Sequence, residues 1–444
     1  MSPAAKKNAA PVRIALLGCG NVGTALVEMV ADPGRAHEIE QSAGVRLEIA
    51  GIAVRDLGAA RSSQPWFPND LLTEDAKGLA EQDGVDIVVE LIGGVDPARQ
   101  LIETALRAGR SVVTGNKAVL ARAGGELADL ASAQGVDLLY EAAVASAIPV
   151  IRPLRESLAG ERITRVMGIV NGTTNFILSR MAHDGATFEA ALAEARSLGL
   201  AEADPSADVD GADAAAKAAI LASLAFGADI AIDDVHCEGI TGITDTDVGF
   251  ATQLGYVIKP LAIAERVEGR SVSVRVHPAL VPADHPLASV GGAFNAVFIE
   301  GERAGEMMLY GRGAGGDAAA SAVLGDLIVA ARHLRQGGST PPAVRAKVEV
   351  VPVERLESAF YLSMDVIDRP GVLAAVADTM GHHDVSIRLM EQKGLGDEAR
   401  LIFLTHRAKE GAMAATVAAL RNLGVVDRMG AVLRVIGPDA NPGA

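Results

Sequence analysis

The run Val12-Arg13-Ile14-Ala15-Leu16-Leu17-Gly18-Cys19-Gly20-Asn21-Val22-Gly23 constrains this chain more than any other. An apolar stretch enters G-x-G-x-x-G, and TALVEMVAD follows with its apolar positions at helical spacing. Strand, side-chain-free turn and helix together build an anion cradle. The first glycine allows the tight turn, the second admits a pyrophosphate against the backbone, and the third lets helix and strand pack closely. Gly18, Gly20, Asn21, Val22 and Gly23 are therefore the candidate dinucleotide-binding residues.

Further short apolar runs, RLEIAGIAV (46–54), DIVVELIGG (86–94), SVVTGNK (111–117) and DLLYEAAVA (137–145), alternate with helical stretches such as PARQLIETALRAG and GGELADLASAQG. That rhythm predicts an α/β fold, a Rossmann-type doubly wound parallel sheet over 11–148. Beyond it, helices at 187–198 and 211–226 mix with β-like runs at 163–171, 272–277 and 295–300, an α+β domain spanning 149–314. The apolar helix 315–337 is expected to pack back on the first domain. GSTPPAV opens a linker at 338–357, and 358–437 runs β-α-β-β-α-β. Residues 1–10 and 438–444 read as tails.

At 444 residues, 49% hydrophobic but only 3% aromatic, the chain has room for several domains with aliphatic cores. Fifty-six acids against forty bases leave a charge of −16, which repels phosphodiester backbones and excludes nucleic acid as a partner. Cys19 and Cys237 have no ligand-like spacing, so neither a disulfide framework nor a zinc site is expected, and the reducing cytoplasm is the natural compartment. The apolar run AAILASLAFGA (218–228) is too short to span a bilayer, and no signal-peptide core follows the N-terminal lysines. A membrane is not an expected partner.

The second strand ends Ala53-Val54-Arg55-Asp56. An acid there suits the ribose hydroxyl of NAD, an arginine the 2′-phosphate of NADP. Arg55 comes first, so NADP is expected, with NAD possible.

Residues 199–217, GLAEADPSADVDGADAAAK, gather Glu202, Asp204, Asp208, Asp210 and Asp213 around Lys217. Individually they have plain readings. Asp213 and Lys217 are an i,i+4 pair, ordinarily worth about 0.3–0.5 kcal/mol on a surface. Asp210 can cap the following helix, and Asp204-Pro205 is turn chemistry. Together, an acid-rich loop facing one amine can hold a substrate amino group while the lysine serves a carbonyl oxygen. The spacing Ala195-x-x-x-Gly199-Leu200-Ala201…Asp204-Pro205-x-x-Asp208-Val209-x-Gly211-x-Asp213-x-x-x-Lys217 resembles the signature of homoserine dehydrogenase. GNKA (115–118), EAAVASAIPVI (141–151), GIVNGTTNFIL (168–178) and GRGAGGDAAASAV (311–323) are also similar to stretches of that family. One departure is Asp317-Ala318-Ala319, where relatives usually carry Pro-Thr or similar.

The resemblance implies reversible reduction of L-aspartate 4-semialdehyde to L-homoserine with NAD(P)H, in threonine, methionine and isoleucine biosynthesis. Lys217 then matches the catalytic lysine that stabilises the developing oxyanion and donates a proton. Lys117 matches a second lysine near both substrate and nicotinamide. Glu202, Asp208, Asp213 and Thr173 match substrate-holding positions, and Gly313 joins the cofactor contacts. Taken alone, 141–151 reads as a buried strand running into a proline-started helix. By resemblance, Glu141, Val144, Ser146 and Ile148 bind a sodium ion, largely through main-chain oxygens. Asn171–Asn175 reads as a polar turn with helix-cap character, and His382, His383 and Cys237 as structural.

Residues 358–437, with Asp368-Arg369-Pro370-Gly371-Val372 between first strand and first helix, resemble an ACT domain, a module that pairs through its sheet and binds amino acids. Pro370 is expected as the first helical residue. The resemblance implies L-threonine as an inhibitory effector held near Asp368, Pro370, Gly371 and Val372. It implies a homodimer or homotetramer of monofunctional type, since no kinase-sized segment precedes the first strand. The rival of another class, a non-catalytic sensor, has no need of both Lys117 and Lys217.

Overall fold

The computed structural model describes residues 10–64, 66–340, 345–394 and 398–437. The tails expected at 1–10 and 438–444 (Ala10 apart) and residues 341–344 of the expected linker lie outside the described residues.

In chain order the first part runs β1 (Val12–Leu17), α1 (Asn21–Ala31), α2 (Pro33–Ala43), β2 (Leu47–Ala53), α3 (Leu57–Ser63), β3 (Leu72–Thr73), α4 (Ala76–Glu81), β4 (Ile87–Glu90), α5 (Ala98–Arg107), β5 (Ser111–Thr114), α6 (Lys117–Gln134) and β6 (Leu138–Leu139). Next come β7 (Ile163–Ile169), α7 (Gly172–Asp184), α8 (Phe188–Ser197), α9 (Ser206–Val209), α10 (Ala212–Phe226), β8 (His236–Cys237), α11 (Asp245–Gln253), β9 (Tyr256–Arg266), β10 (Val272–Pro282), β11 (Phe294–Gly301), β12 (Gly305–Arg312) and α12 (Gly316–Gln336). The chain ends with β13 (Glu357–Ile367), α13 (Val372–His382), β14 (Ile387–Gly394), β15 (Glu398–Thr405), β16 (Ala408–Lys409), α14 (Glu410–Arg421) and β17 (Val426–Val435).

The described residues form two compact units, one of those up to Gly160 with Ser223–Ile232 and those within Gly311–Lys347, the other of Glu161–Ala222, Asp233–Tyr310 and those from Val348 on. In the first, six parallel strands lie in the order β3-β2-β1-β4-β5-β6, with the topological switch between β1 and β4. Strands buried on both faces, such as Ile87–Glu90 and Ser111–Thr114, read as continuous apolar runs because helices cover the sheet. Helix α12 packs on α1 and α2, adding Ala320, Val323, Leu324, Leu327 and Ala331 to the core around Leu16, Leu26 and Ile39. Thr340, at the start of the expected linker, is tied down by Asp137, which accepts from its N–H at 2.6 Å and its hydroxyl at 2.7 Å.

The strand expected over 137–145 is corrected. Only Leu138–Leu139 pair; Glu141–Ala143 form a 3-10 turn, and Ala145 (φ 56°) and Ser146 (φ 47°) are left-handed, which no strand tolerates. Likewise β4 stops at Glu90, because Gly93 and Gly94 turn the chain at φ 83° and 70°.

In the second unit, one sheet runs β12-β11-β7-β9-β10-β17-β13-β15-β14 with β8 and β16 at its side. The sequence separates 149–314 from 358–437, yet the two share this sheet. Strand β17 pairs in parallel with β10 (Ala279 opposite Arg434, Leu280 opposite Val435), and Ile436 N–H donates to the Leu280 carbonyl at 2.8 Å. Beneath it, Ile177, Leu178 and Met181 of α7 share a core with Tyr361, Ile402 and Leu433 of the C-terminal strands. Asp247 of α11 fastens the seam, accepting from Tyr361 OH at 3.1 Å and Ser363 Oγ at 2.7 Å.

Candidate active site

In the first unit Gly18–Gly20 form the turn between β1 and α1. Gly18 has φ +94°, and a Cβ there would lie 2.8 Å from the Leu91 backbone; one on Gly23 would lie 2.7 Å from the Gly18 carbonyl oxygen. A Cβ on Gly20, the N-cap of α1, would meet nothing within 4 Å. Two glycines thus answer to the protein's own packing, and the third keeps space open at a helix N-terminus, a fit for a pyrophosphate. Asn21 and Val22 open the helix, and burial pushes the Cys19 thiol up. Beside them Asn21, Thr24, Glu28, Gln64, Gly316 and Asp317 border a cavity of about 340 Å³, so the departure at Asp317 stands at the rim of the cradle. Gly313 is half-buried in the turn between β12 and α12.

At the end of β2, Arg55 is exposed, whereas Asp56 is the N-cap of α3, its carboxylate accepting from Ala59 N–H at 2.9 Å. Lys117, half-buried, is the first residue of α6, whose N-cap is Asn116.

The 141–148 loop also belongs to this unit. Glu141 directs its carboxylate at Ile151 N–H (2.7 Å), Arg152 N–H (3.0 Å) and Arg152 Nε (3.2 Å). Its own N–H donates to Asp326 of α12 at 2.7 Å, and burial pushes that carboxyl up to about 7. Among the described residues no three His, Cys, Asp or Glu side chains gather in metal-binding fashion. A cation in this loop would be held by main-chain carbonyl oxygens, hard ligands suited to such an ion.

The second unit carries the acid loop. Lys217 is buried on α10, donating to Asp213 Oδ2 at 2.7 Å and to the Val170 carbonyl at 2.6 Å. Asn171, the N-cap of α7, accepts from Thr174 N–H at 2.9 Å through Oδ1. Its Nδ2 donates to Asp208 Oδ1 (2.7 Å) and Asp213 Oδ2 (2.9 Å). Thr173 donates to the Leu200 carbonyl at 2.6 Å, tying α7 to the same loop. Glu202 lies exposed outside this cluster. Asp204 makes a local turn with Ser206 N–H, and Asp210 ends the one-turn helix α9.

In the C-terminal module, Gly371 (φ +91°) is the N-cap of α13, which begins at Val372. Pro370 therefore precedes the helix rather than starting it, because a left-handed residue intervenes. Asp368 is exposed and accepts from Gln392 Nε2 at 3.4 Å, whereas Val372 points into the module's apolar core.

The sequence missed two residues. Asn171 reads as a cap alone, and nothing local shows its amide bridging two acids. Glu90, fully buried at the end of β4, follows an apolar run, and an acid inside a buried strand is itself a signal.

Residues 149–328 match the homoserine dehydrogenase family profile, 18–141 that of the homoserine dehydrogenase NAD-binding domain, and 360–425 the ACT domain. The homoserine dehydrogenase of Mycobacterium tuberculosis is 50% identical over 438 residues, covering 96% of this chain and 98% of the relative. That of Corynebacterium glutamicum is 50% identical over 429 residues, 96% and 95% of the two chains. Among solved structures, a homoserine dehydrogenase from Thiobacillus denitrificans superposes with TM-score 0.90 at 38% identity, covering 96% of this chain and 98% of that one. A hyperthermophilic archaeal homoserine dehydrogenase in complex with NADPH gives TM-score 0.62 at 31% identity, covering 76% and 100%. No helix among the described residues is long and apolar enough to cross a membrane. With an NAD(P)-binding Rossmann domain, a catalytic domain and an ACT domain, the chain belongs to the homoserine dehydrogenase family of oxidoreductases.

Proposed function

We propose that the protein interconverts L-aspartate 4-semialdehyde and L-homoserine with NADP(H) as its preferred cofactor, serving threonine, methionine and isoleucine biosynthesis in the cytoplasm. The observation that carries the reading is the buried chain Val170 carbonyl–Lys217–Asp213–Asn171–Asp208. A lysine held this firmly keeps its charge in one place, where it stabilises the aldehyde oxygen as negative charge develops and then supplies the proton. Asp213 already accepts from Lys217 and Asn171, so it orients the lysine, whereas Asp208, held by a neutral amide, serves the substrate ammonium. Glu202 closes on the same ammonium from the loop, and Thr173 fixes the helix end beside it. Lys117 acts on the substrate and nicotinamide side.

Gly18, Gly20, Asn21, Val22, Gly23 and Gly313 hold the cofactor, which supplies the hydride when bound. Arg55 takes the 2′-phosphate; the capping duty of Asp56 and the NADPH held by the archaeal relative support that preference. A sodium ion binds at Glu141, Val144, Ser146 and Ile148, and the left-handed pair at 145–146 supports a carbonyl-lined loop. Glu141, its carboxylate committed to Arg152 and Ile151, contributes its main chain. L-Threonine binds the ACT module near Asp368, Pro370 and Gly371 and inhibits, with the protein a homodimer or homotetramer. Val372 serves there through its backbone, its side chain being in the core.

The test is NADPH oxidation with L-aspartate 4-semialdehyde, repeated with NADH, with added L-threonine, and with Lys217→Ala. Turnover that favours NADPH, slows with threonine and is lost in the variant supports the reading. Folded protein without turnover on either cofactor sinks it.

A further inference from the structure

Glu90 ends β4 at the switch point of the first sheet, with no solvent exposure at all. A carboxylate in such a place is expensive unless hydrogen bonds satisfy it. Here Oε1 accepts from Ile92 N–H (2.8 Å), Gly93 N–H (3.3 Å) and Asn116 Nδ2 (3.3 Å), and Oε2 from Thr114 Oγ1 at 2.6 Å. The donors come from two loops. One, Leu91–Gly94, backs the Gly18 turn of the cradle, since a Cβ on Gly18 would lie 2.8 Å from Leu91. The other leads from β5 into α6. There Thr114 Oγ1 also accepts from Asn116 N–H at 3.0 Å, and Asn116 donates to the Gly94 carbonyl at 2.8 Å while its Oδ1 accepts from Val119 N–H at 3.3 Å. Lys117 is the next residue.

We infer that Glu90 is a positioning residue: one carboxylate fixes the Leu91–Gly94 loop and the Asn116 cap together, and so sets Lys117 against the cofactor crevice. The inference rests on the reading that Lys117 takes part in the reaction. Glutamine has the same size, but its amide nitrogen in place of Oε2 cannot accept the 2.6 Å hydrogen bond from Thr114 Oγ1, so the tie to the loop between β5 and α6 weakens. The loops then loosen without a cavity being made.

The experiment is a double-mutant cycle on the full-length protein with Glu90→Gln and Lys117→Ala, reading kcat with L-aspartate 4-semialdehyde and NADPH affinity by fluorescence titration. E90Q is expected to lower kcat about tenfold while NADPH affinity changes less than about threefold. On the K117A background the same substitution is expected to add nothing beyond about twofold. A full second loss in the double variant, with K117A itself impaired, overturns the role of Glu90 and leaves that of Lys117 standing. K117A turning over like the parent overturns both. If E90Q does not fold, Thr114→Val removes the 2.6 Å bond and keeps the carboxylate. The same loss of kcat, absent on the K117A background, is expected of it, and an unchanged kcat overturns the inference.

Discussion

Asp213 and Lys217 stand one turn apart on α10 and meet at 2.7 Å, with side-chain exposures of 8% and 11%. That burial removes the pair from the class of surface contacts worth a few tenths of a kcal/mol. Breaking a buried pair by removing one partner costs about 3–5 kcal/mol. Asp213→Asn is therefore expected to lower the melting temperature. Lys217→Ala is expected to lower kcat by about 10²–10⁴-fold, the range for a lost general acid. Thermal melts and steady-state rates at saturating NADPH check both.

The glycines of the cradle separate folding from binding. Gly18→Ala puts a Cβ 2.8 Å from the Leu91 backbone at φ +94°, and a lower melting temperature is expected. Gly20→Ala meets no protein atom within 4 Å, so stability should stay within about 0.5 kcal/mol while NADPH affinity falls tenfold or more, about 1.4 kcal/mol. Calorimetric titration of both variants distinguishes the two outcomes.

Asn171 does two jobs with one side chain. Asn171→Ser keeps a cap oxygen for α7 but cannot reach both Asp208 and Asp213, so KM for the aldehyde should rise about tenfold. Asn171→Ala should lose the cap as well, about 1 kcal/mol more. Equal melting temperatures for the two variants would contradict this division.

Arg55→Ala should raise KM for NADPH about tenfold and leave KM for NADH within about twofold, since only the 2′-phosphate distinguishes the cofactors. A parallel rise with both would place the arginine elsewhere in binding.

Lys259 of β9 is buried with its ammonium donating to the Val290 carbonyl at 2.6 Å, and burial pushes its pKa down to about 8 from the usual 10.5. Between these values the unfolded chain holds the extra proton, so this group makes stability rise as pH increases from about 8 to 10.5. Below pH 8 its full cost is present, on the order of 3 kcal/mol. Lys259→Met should raise the melting temperature at pH 7 and flatten that rise. Denaturant melts across the interval measure it.

Four strands of the first sheet, β1, β2, β4 and β5, are legible as mainly apolar runs, whereas the two-residue strands β3 and β6 are too short to leave a pattern. Strand β9 leaves no clear strand pattern in the sequence, since Lys259 and Pro260 interrupt it; in the sheet, Pro260 faces Pro278 of β10, proline against proline. The junction of β10 with β17 was equally hidden. Its partners, Leu280 and Val435, are remote in the chain, and parallel pairing leaves no turn signal. The acid loop is legible as a group from its spacing, but the amide joining its members is not, because asparagine before a helix looks the same whether or not it has a second duty.

The parallel seam between β10 and β17 also bears on how this protein can be altered. Cutting the chain before Val348 would strip a neighbour from β10 and bare Ile177, Leu178 and Met181, inviting edge-to-edge aggregation rather than releasing a trimmed enzyme. Altering the C-terminal module is thus a matter for single substitutions in the 368–371 turn, not for scissors.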